Sequence, residues 1–267
     1  MNPKPANLES YLGRPSPIEP QLRFLLKGVR KPVIFDVGAC EGEDTIRYSR
    51  MFPGARLLAF EPLPANQEIL RENLARYSVA AEVIPCAVSN RKGTAEFHVS
   101  DGRPPELFSG ENWNYGNKSS SLLPPALGTP MHGWITFPDR ITVQCDTLVD
   151  VCASHDIDSI DFMHMDVQGA EGLVLEGASA VMPRIRVIWM EVSNQELYSG
   201  QKLRGEIESI LRNHGFAVAY EELRGAEGDQ LYVNLRFARN RLYLAGLRLT
   251  RVLSRLANPF RVKPTGR

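Results

Sequence analysis

The sequence predicts a doubly wound α/β fold, a mostly parallel sheet of about seven strands with the last strand antiparallel. Three observations carry that expectation. Apolar runs of strand length alternate with segments of helical period from residue 33 to residue 214. The first run opens into a glycine-interrupted loop and then a helix, across residues 33–45. The last two runs, at 216–220 and 230–235, have no helix between them, which suits an antiparallel hairpin.

At 267 residues, with 43% hydrophobic and 23% charged residues, the chain has the composition of a globular protein and the length for one large domain. We expect an arm and leading helix over 1–30, the α/β domain over 31–237 with an insert at 100–140, and a tail over 238–267. The formal net charge is zero, so no global field selects nucleic acid. Nine of the 31 basic residues and none of the 31 acids fall after Leu235, so the body is acidic and the tail basic. Cys40, Cys86, Cys145 and Cys152 form neither a C-x-x-C nor a zinc pattern, and the start of the chain has no apolar signal core; a reduced, cytoplasmic enzyme is the expectation. No apolar run approaches the ~20 residues that span a bilayer.

Taken in order, Pro3, Pro5, Pro15 and Pro17 predict an irregular arm over residues 1–17, and residues 21–29 a short helix leading into the first strand. That strand, Val33 to Val37, runs into a loop with glycines at Gly38 and Gly42, where the backbone can take positive φ and come close to a ligand. The helix then starts at Asp44 and stops at Pro53-Gly54. The spacing is G-x-x-x-G, and Asp36, Glu41, Glu43 and Asp44 surround it. A pyrophosphate at this helix N-terminus would meet several carboxylates, each repulsion costing roughly 1 to 4 kcal/mol. A cationic nucleoside without phosphate suits the loop better, and S-adenosylmethionine is the common ligand of that description. Asp36, Gly38, Ala39, Gly42 and Thr45 are its expected cofactor contacts.

The second strand, 56–60, ends in Glu61-Pro62. Glu61 stands nineteen residues after Gly42, close to the ~20 at which an acid reaches the ribose hydroxyls. A helix over 66–77 and a third strand over 82–86 follow, and Ala87-Val88-Ser89 offers a small apolar wall for adenine. Residues 94–99 and 141–145 alternate in polarity and predict strands at a sheet edge. The forty residues between them are too many to be idle in a compact domain, so they are the expected acceptor-binding loop. Trp113, Tyr115, Ser121 and Trp134, with Phe108 and Phe137, are its candidate contacts, and plugging of the loop onto the core is the equal alternative for the aromatics.

Residues 147–155 read as a helix and 160–166 as the fourth strand, ending at Asp166. A helix from Gly169 to Gly177, a strand over 187–192 with Glu191 near its end, and a helix over 203–214 lead to the hairpin. With the glycine loop, Glu61-Pro62 and the run Asp161-Phe162-Met163-His164-Met165-Asp166-Val167-Gln168-Gly169-Ala170-Glu171 in place, the chain resembles the FkbM family of methyltransferases over about residues 30–236. The resemblance implies a Rossmann-like methyltransferase sheet and methyl transfer from S-adenosylmethionine to a hydroxyl of a sugar, glycan, glycolipid or natural product. His164 stands where the family usually has lysine and Gln168 where it usually has glutamate.

Methyl transfer requires in-line alignment of acceptor, methyl and sulfur, and a base on a weakly nucleophilic hydroxyl adds ~10²- to 10⁴-fold. Asp166, at a central strand end, is the first candidate base, and cofactor binding or helix capping is its equal alternative. His164, with an intrinsic pKa of ~6.5, is the second, with a buried structural role against it. Glu191 is an expected acceptor contact. Asp166, Glu191 and Asn194 are the residues that would hold a magnesium ion, which is not expected. Methylation of a small natural product on oxygen or nitrogen, a non-catalytic scaffold, and an NAD enzyme are the competing readings. Residues 241–256 form a basic amphipathic helix, which suits an anionic membrane surface, an acidic partner or the protein's own acidic body.

Overall fold

The computed structural model describes residues 7–104, 113–127 and 133–257. In chain order the elements are α1 (Leu8–Leu12), α2 (Glu19–Leu25), β1 (Val33–Val37), α3 (Glu43–Met51), β2 (Arg56–Phe60), α4 (Pro64–Arg76) and β3 (Ala81–Ile84). Then come β4 (Ala87–Val88), β5 (Gly93–Asp101), a 3-10 turn at Gly116–Ser119, β6 (Thr136–Asp146), α5 (Leu148–Ser154), β7 (Phe162–Met165) and α6 (Glu171–Gly177). A second 3-10 turn at Met182–Arg184, β8 (Val187–Ser193), α7 (Arg204–Asn213), β9 (Phe216–Arg224), β10 (Glu227–Asn234) and α8 (Ala238–Ala257) complete it.

The main sheet has seven strands in the order β3-β2-β1-β7-β8-β10-β9. Only β10 runs antiparallel, inserted between β8 and β9, which matches the expected sheet and its final hairpin. Both faces are covered, so β1 divides its side chains between two cores: Phe35 and Val37 enter one, Ile34 the other. That burial leaves Asp36, 2% exposed, as the one acid inside the strand, and a charge there has to be partnered.

Two expectations need correction. The segments around 94–99 and 141–145 do not edge the main sheet. They pair with each other as β5 and β6, and with β4 form a separate three-stranded sheet. Its apolar side, Phe97, Val143 and Cys145, closes on Leu63 and Ala87 as a small core of its own. A period of two identifies a strand but not its partner, and the partner here is decided by that second core. The arm is also not irregular throughout. Asn7 and Ser10 form a reciprocal cap that starts α1, and Tyr11 ties that helix to α3 by donating to Asp44 at 2.8 Å. Among the described residues no helix is long and apolar enough to cross a membrane.

Candidate active site at the switch point of the sheet

The chain leaves β1 toward β2 on one side and β7 toward β8 on the other, so their carboxyl ends part and open a crevice. The crevice is open to solvent, and its empty space, counted out to the solvent, is about 800 Å³. Asp36, Gly38, Ala39, Glu61, Pro62, Ala87, Val88, His164 and Asp166 line it, and the insert adds Asn117, Lys118, Ser120 and Leu122.

Gly38 and Gly42 both take positive φ, 88° and 84°. Each glycine is demanded by the protein itself. A Cβ on Gly38 would lie 1.9 Å from the Asp166 carbonyl oxygen, and one on Gly42 would lie 2.5 Å from Leu70 Cδ1. Gly42 does not line the crevice; it closes the turn beneath α4. Thr45 is also absent from the lining. Fully buried on α3, it donates its hydroxyl to Asp36 and thereby holds the acid that does line the site.

The acids of the loop are individually satisfied, where the sequence reading left them facing a cationic ligand. Glu41 accepts from Trp113 Nε1 at 2.7 Å and Asn117 Nδ2 at 3.1 Å. Glu43 pairs with Lys118 at 2.5 Å, and Asp44 accepts from Arg47 at 2.9 Å and from Tyr11. Burial outweighs these partners at Glu43, whose pKa is raised even beside Lys118. The insert therefore sits on the loop as a counter-charged cap. The 3-10 turn supplies both Asn117 and Lys118, residues that carry no motif and that sequence reasoning missed; a lone lysine in a loop of forty residues gives no signal.

His164 faces Asp36 across the β1–β7 register. Burial presses its pKa down, but the hydrogen bond it donates to Asp36 and the charges of Asp44, Asp36 and Asp166 prevail, and the value is pushed up to about 9. At neutral pH it is an imidazolium, a donor rather than a base, so the candidate role of His164 as general base is corrected by its carboxylate neighbours. Glu61 is 5% exposed and accepts from the backbone N–H of Cys40 and of Leu63, both at 2.9 Å. Burial lifts its pKa to about 8 against those two donors.

Asp166 ends β7 and is exposed at the crevice. Gln168 Nε2 donates to Asp166 Oδ1 at 2.6 Å and to Glu191 Oε2 at 3.3 Å. Burial and the charges of Asp166, Glu171 and Asp229 raise the Glu191 pKa well above its ordinary value. Glu171 organises the turn after β7 by accepting from the Val167 and Gly169 N–H groups. A glutamate at position 168 would add a further charge to this group; the glutamine donates to two of its members instead.

The expected acceptor contacts fall elsewhere. Trp113, 8% exposed, holds Glu41 and packs edge-on to Tyr11 and against Tyr115. Ser121 is fully buried and donates to the Gln168 carbonyl at 2.7 Å. The Trp134 carbonyl abuts Gly102, and Glu191 is joined to Gln168. None of these five lines the crevice; within the insert, Trp113 and Ser121 are taken up by Glu41 and the Gln168 carbonyl. Phe108 lies outside the described residues. Asn194 is exposed at a strand tip, its N–H on the Ala226 carbonyl, and among the described residues no three of His, Cys, Asp and Glu are grouped to hold a metal ion.

The residues present fit S-adenosylmethionine. The buried acid Glu61 stands beside the apolar Pro62, Ala87 and Val88, and among the described residues the lining cations Lys118 and His164 are paired with Glu43 and Asp36, which leaves no cluster of free cations for a pyrophosphate. Asn117 Oδ1, at the wall, is buried with no hydrogen-bond partner. Its amide orientation is fixed, because Nδ2 faces two acceptors, Glu41 Oε1 and Asn66 Oδ1, so the carbonyl is left over for a donor.

Residues 36–218 match the model of the methyltransferase FkbM domain. The 2-O-methyltransferase NoeI of Sinorhizobium fredii (strain NBRC 101917 / NGR234) is 34% identical over 205 residues, 77% of this chain and 80% of that protein. The 31-O-demethyl-FK506 methyltransferase FkbM of Streptomyces tacrolimicus is 31% identical over 203 residues, 71% of this chain and 74% of that protein. The methyltransferase sdnD of Sordaria araneosa is 26% identical over 213 residues, 73% and 77% of the two chains.

Proposed function

The chain belongs to the FkbM family of S-adenosylmethionine-dependent methyltransferases, and on that premise we propose that it methylates a hydroxyl oxygen of a sugar, glycan or glycolipid. The observation that carries the reading is Asp166. It is an exposed carboxylate at the carboxyl end of β7 that lines the crevice, where the hydroxyl of an acceptor can reach it. Transfer to oxygen is also what the names of the two relatives above 30% identity specify.

S-adenosylmethionine, when bound, supplies an electrophilic methyl group whose transfer leaves its electron pair on sulfur. Glu61 would accept from the ribose hydroxyls, and Ala87, Val88 and Pro62 would flank the base. The Gly38-Ala39 backbone and Asp36 would hold the amino-acid end, and the Asn117 carbonyl is one further acceptor. Asp166 takes the hydroxyl proton as the acceptor oxygen bonds to carbon, which leaves a neutral carboxyl and an ether. His164 is a positioning residue: its charge steadies Asp36 and, with the Gln168 amide, opposes the burial that raises the Asp166 pKa and suits that carboxyl to taking a proton. The four cysteines are free, which agrees with a reducing compartment, and we place the enzyme in the cytoplasm.

Methylation of a natural-product hydroxyl is the second reading, favoured by the relative whose name contains FK506. A panel of oligosaccharide and polyketide acceptors, assayed with wild type and Asp166→Asn, tests both. We expect turnover on the sugars and a loss of ~10²- to 10⁴-fold in kcat for the variant, with cofactor affinity by calorimetry unchanged. Turnover on the polyketides alone would select the second reading, undiminished turnover would remove Asp166 as base, and tight binding of NAD would overturn both.

A further inference from the structure

Helix α8 has two apolar faces, and its protein uses only one. Asn240 is fully buried and donates to the carbonyls of Arg186 and Asn234, at 2.8 and 2.9 Å. Tyr243 and Leu244 pack on the core that also holds Leu22, Leu25 and Trp189, and Tyr243 meets Phe24 of α2 with ring centroids 5.6 Å apart. That is the docked face. Leu242 and Leu249 are seven residues apart, hence on one face. Leu249 is nine residues, two and a half turns, from Asn240, hence on the opposite face. They are 67% and 61% exposed.

The backbone remains helical to Ala257, and the same period puts Ala245, which is also exposed, on the outward face beside Leu242 and Leu249. The apolar exposure is concentrated here. Of six large apolar side chains exposed among the described residues, Leu242 and Leu249 lie on α8, Leu235 leads into it and Phe24 packs against it. The charged residues of the helix are all arginines, of which Arg241 and Arg248 are exposed on the flank between the two faces, and no acid occurs after Leu235. Lys27, Arg30 and Lys31, which follow the helix on which α8 docks, are exposed as well.

We propose that the outward face of α8 is a peripheral membrane-docking surface, seated in the headgroup region of an anionic bilayer with its leucines inserted and its arginines on the phosphates. A helix with a continuous apolar face, a cationic flank and too little length of apolar sequence to span is the form that lies in the interfacial plane. The charge selects an anionic surface, since every titratable side chain from 236 to the end of the helix is basic apart from Tyr243, which is turned to the docked side. Fixing α8 through Asn240 prepays its ordering, because the outward face is held in place before any lipid is met.

Flotation of the full chain with vesicles of phosphatidylcholine alone, or with one third phosphatidylglycerol, tests this. We expect binding to the anionic vesicles at low salt, at least tenfold weaker on the zwitterionic ones and falling as salt rises. The double variant L242E/L249E should lose that binding at least tenfold with its melting temperature and methyl transfer to a soluble acceptor unchanged. No binding to anionic vesicles, or equal binding by the double variant, overturns the proposal. So does sedimentation showing a dimer that L242E/L249E dissociates, which would make the face a contact between copies of this chain.

Discussion

His164 Nδ1 lies 3.2 Å from Asp36 Oδ1, on adjacent parallel strands whose register pairs those two residues. A cation is thus built into the floor of the crevice against the one acid inside β1. A lysine at this position would place the same charge there. What histidine adds is a pKa within reach, about 9, so the charge is lost only in alkali.

Replacing His164 with asparagine should therefore lower kcat by about 10- to 100-fold, the worth of a charge-assisted hydrogen bond of ~1.5–3 kcal/mol, and His164→Lys should recover most of it. A pH profile of kcat gives the finer check. The wild-type alkaline limb should move upward in the lysine variant, and an unmoved limb would take His164 out of the explanation.

Lys118 and Glu43, 22% and 12% exposed, make the ion pair that fastens the insert. Lys118→Met leaves Glu43 buried and uncompensated and should cost about 3–5 kcal/mol in denaturant unfolding. The double variant Lys118→Met with Glu43→Gln should regain most of that loss, because it removes the stranded charge. A double variant no more stable than the single would show that the pair is not what holds the cap.

Gly38→Ala and Gly54→Ala separate conformational strain from contact. Both glycines take nearly the same φ, 88° and 85°. A Cβ at Gly54 meets nothing within 4 Å, whereas at Gly38 it meets the Asp166 carbonyl at 1.9 Å. Gly54→Ala should cost about 1–2 kcal/mol. Gly38→Ala should cost several kcal/mol more and abolish cofactor binding, since β1 and β7 must part at the crevice. Equal losses in thermal melts would refute the packing account.

The ligand-free protein should lose stability as pH rises. Glu61 is raised from its ordinary 4.5 to about 8, Glu171 to about 7, Asp229 from 3.8 to about 7, and His164 from 6.5 to about 9. Burial is the chief cause at the three carboxyls; at His164 the neighbouring carboxylates overcome it. In each case the folded state holds its proton more tightly than the unfolded chain. Each contribution is complete below the unfolded pKa and is lost as pH climbs through the folded one, at roughly 1.4 kcal/mol per pH unit per proton. Melts at pH 5.5 and 8.5 should show the higher temperature at 5.5, and the reverse order would contradict the burial of these groups.

The strands and helices of the main sheet were legible because burial on both faces leaves near-continuous apolar runs, and because Gly38, Gly42 and Gly54 punctuate them. The spacing of Glu61 from Gly42 marked it as a crevice residue, and it lines the crevice. The insert was not. Trp113 and Ser121 read as ligand contacts because an aromatic or a hydroxyl in a long loop looks the same in sequence whether it faces a ligand or Glu41 and the Gln168 carbonyl. The separate sheet of β4, β5 and β6 was hidden for a similar reason, since alternation marks a strand without choosing its neighbour.

By itself the sequence determined the sheet, the glycine loop and the methyltransferase family, all of which rest on contacts close in the chain or on fixed spacings. Tertiary structure alone decided how charge is distributed around the crevice. Asp36 with His164, Glu43 with Lys118 and Glu41 with Trp113 are pairs separated by 72 to 128 residues. Electrostatic energy depends on distance in space and on burial, neither of which a linear pattern records, so an acidic loop in the sequence became a neutralised, capped one in the fold.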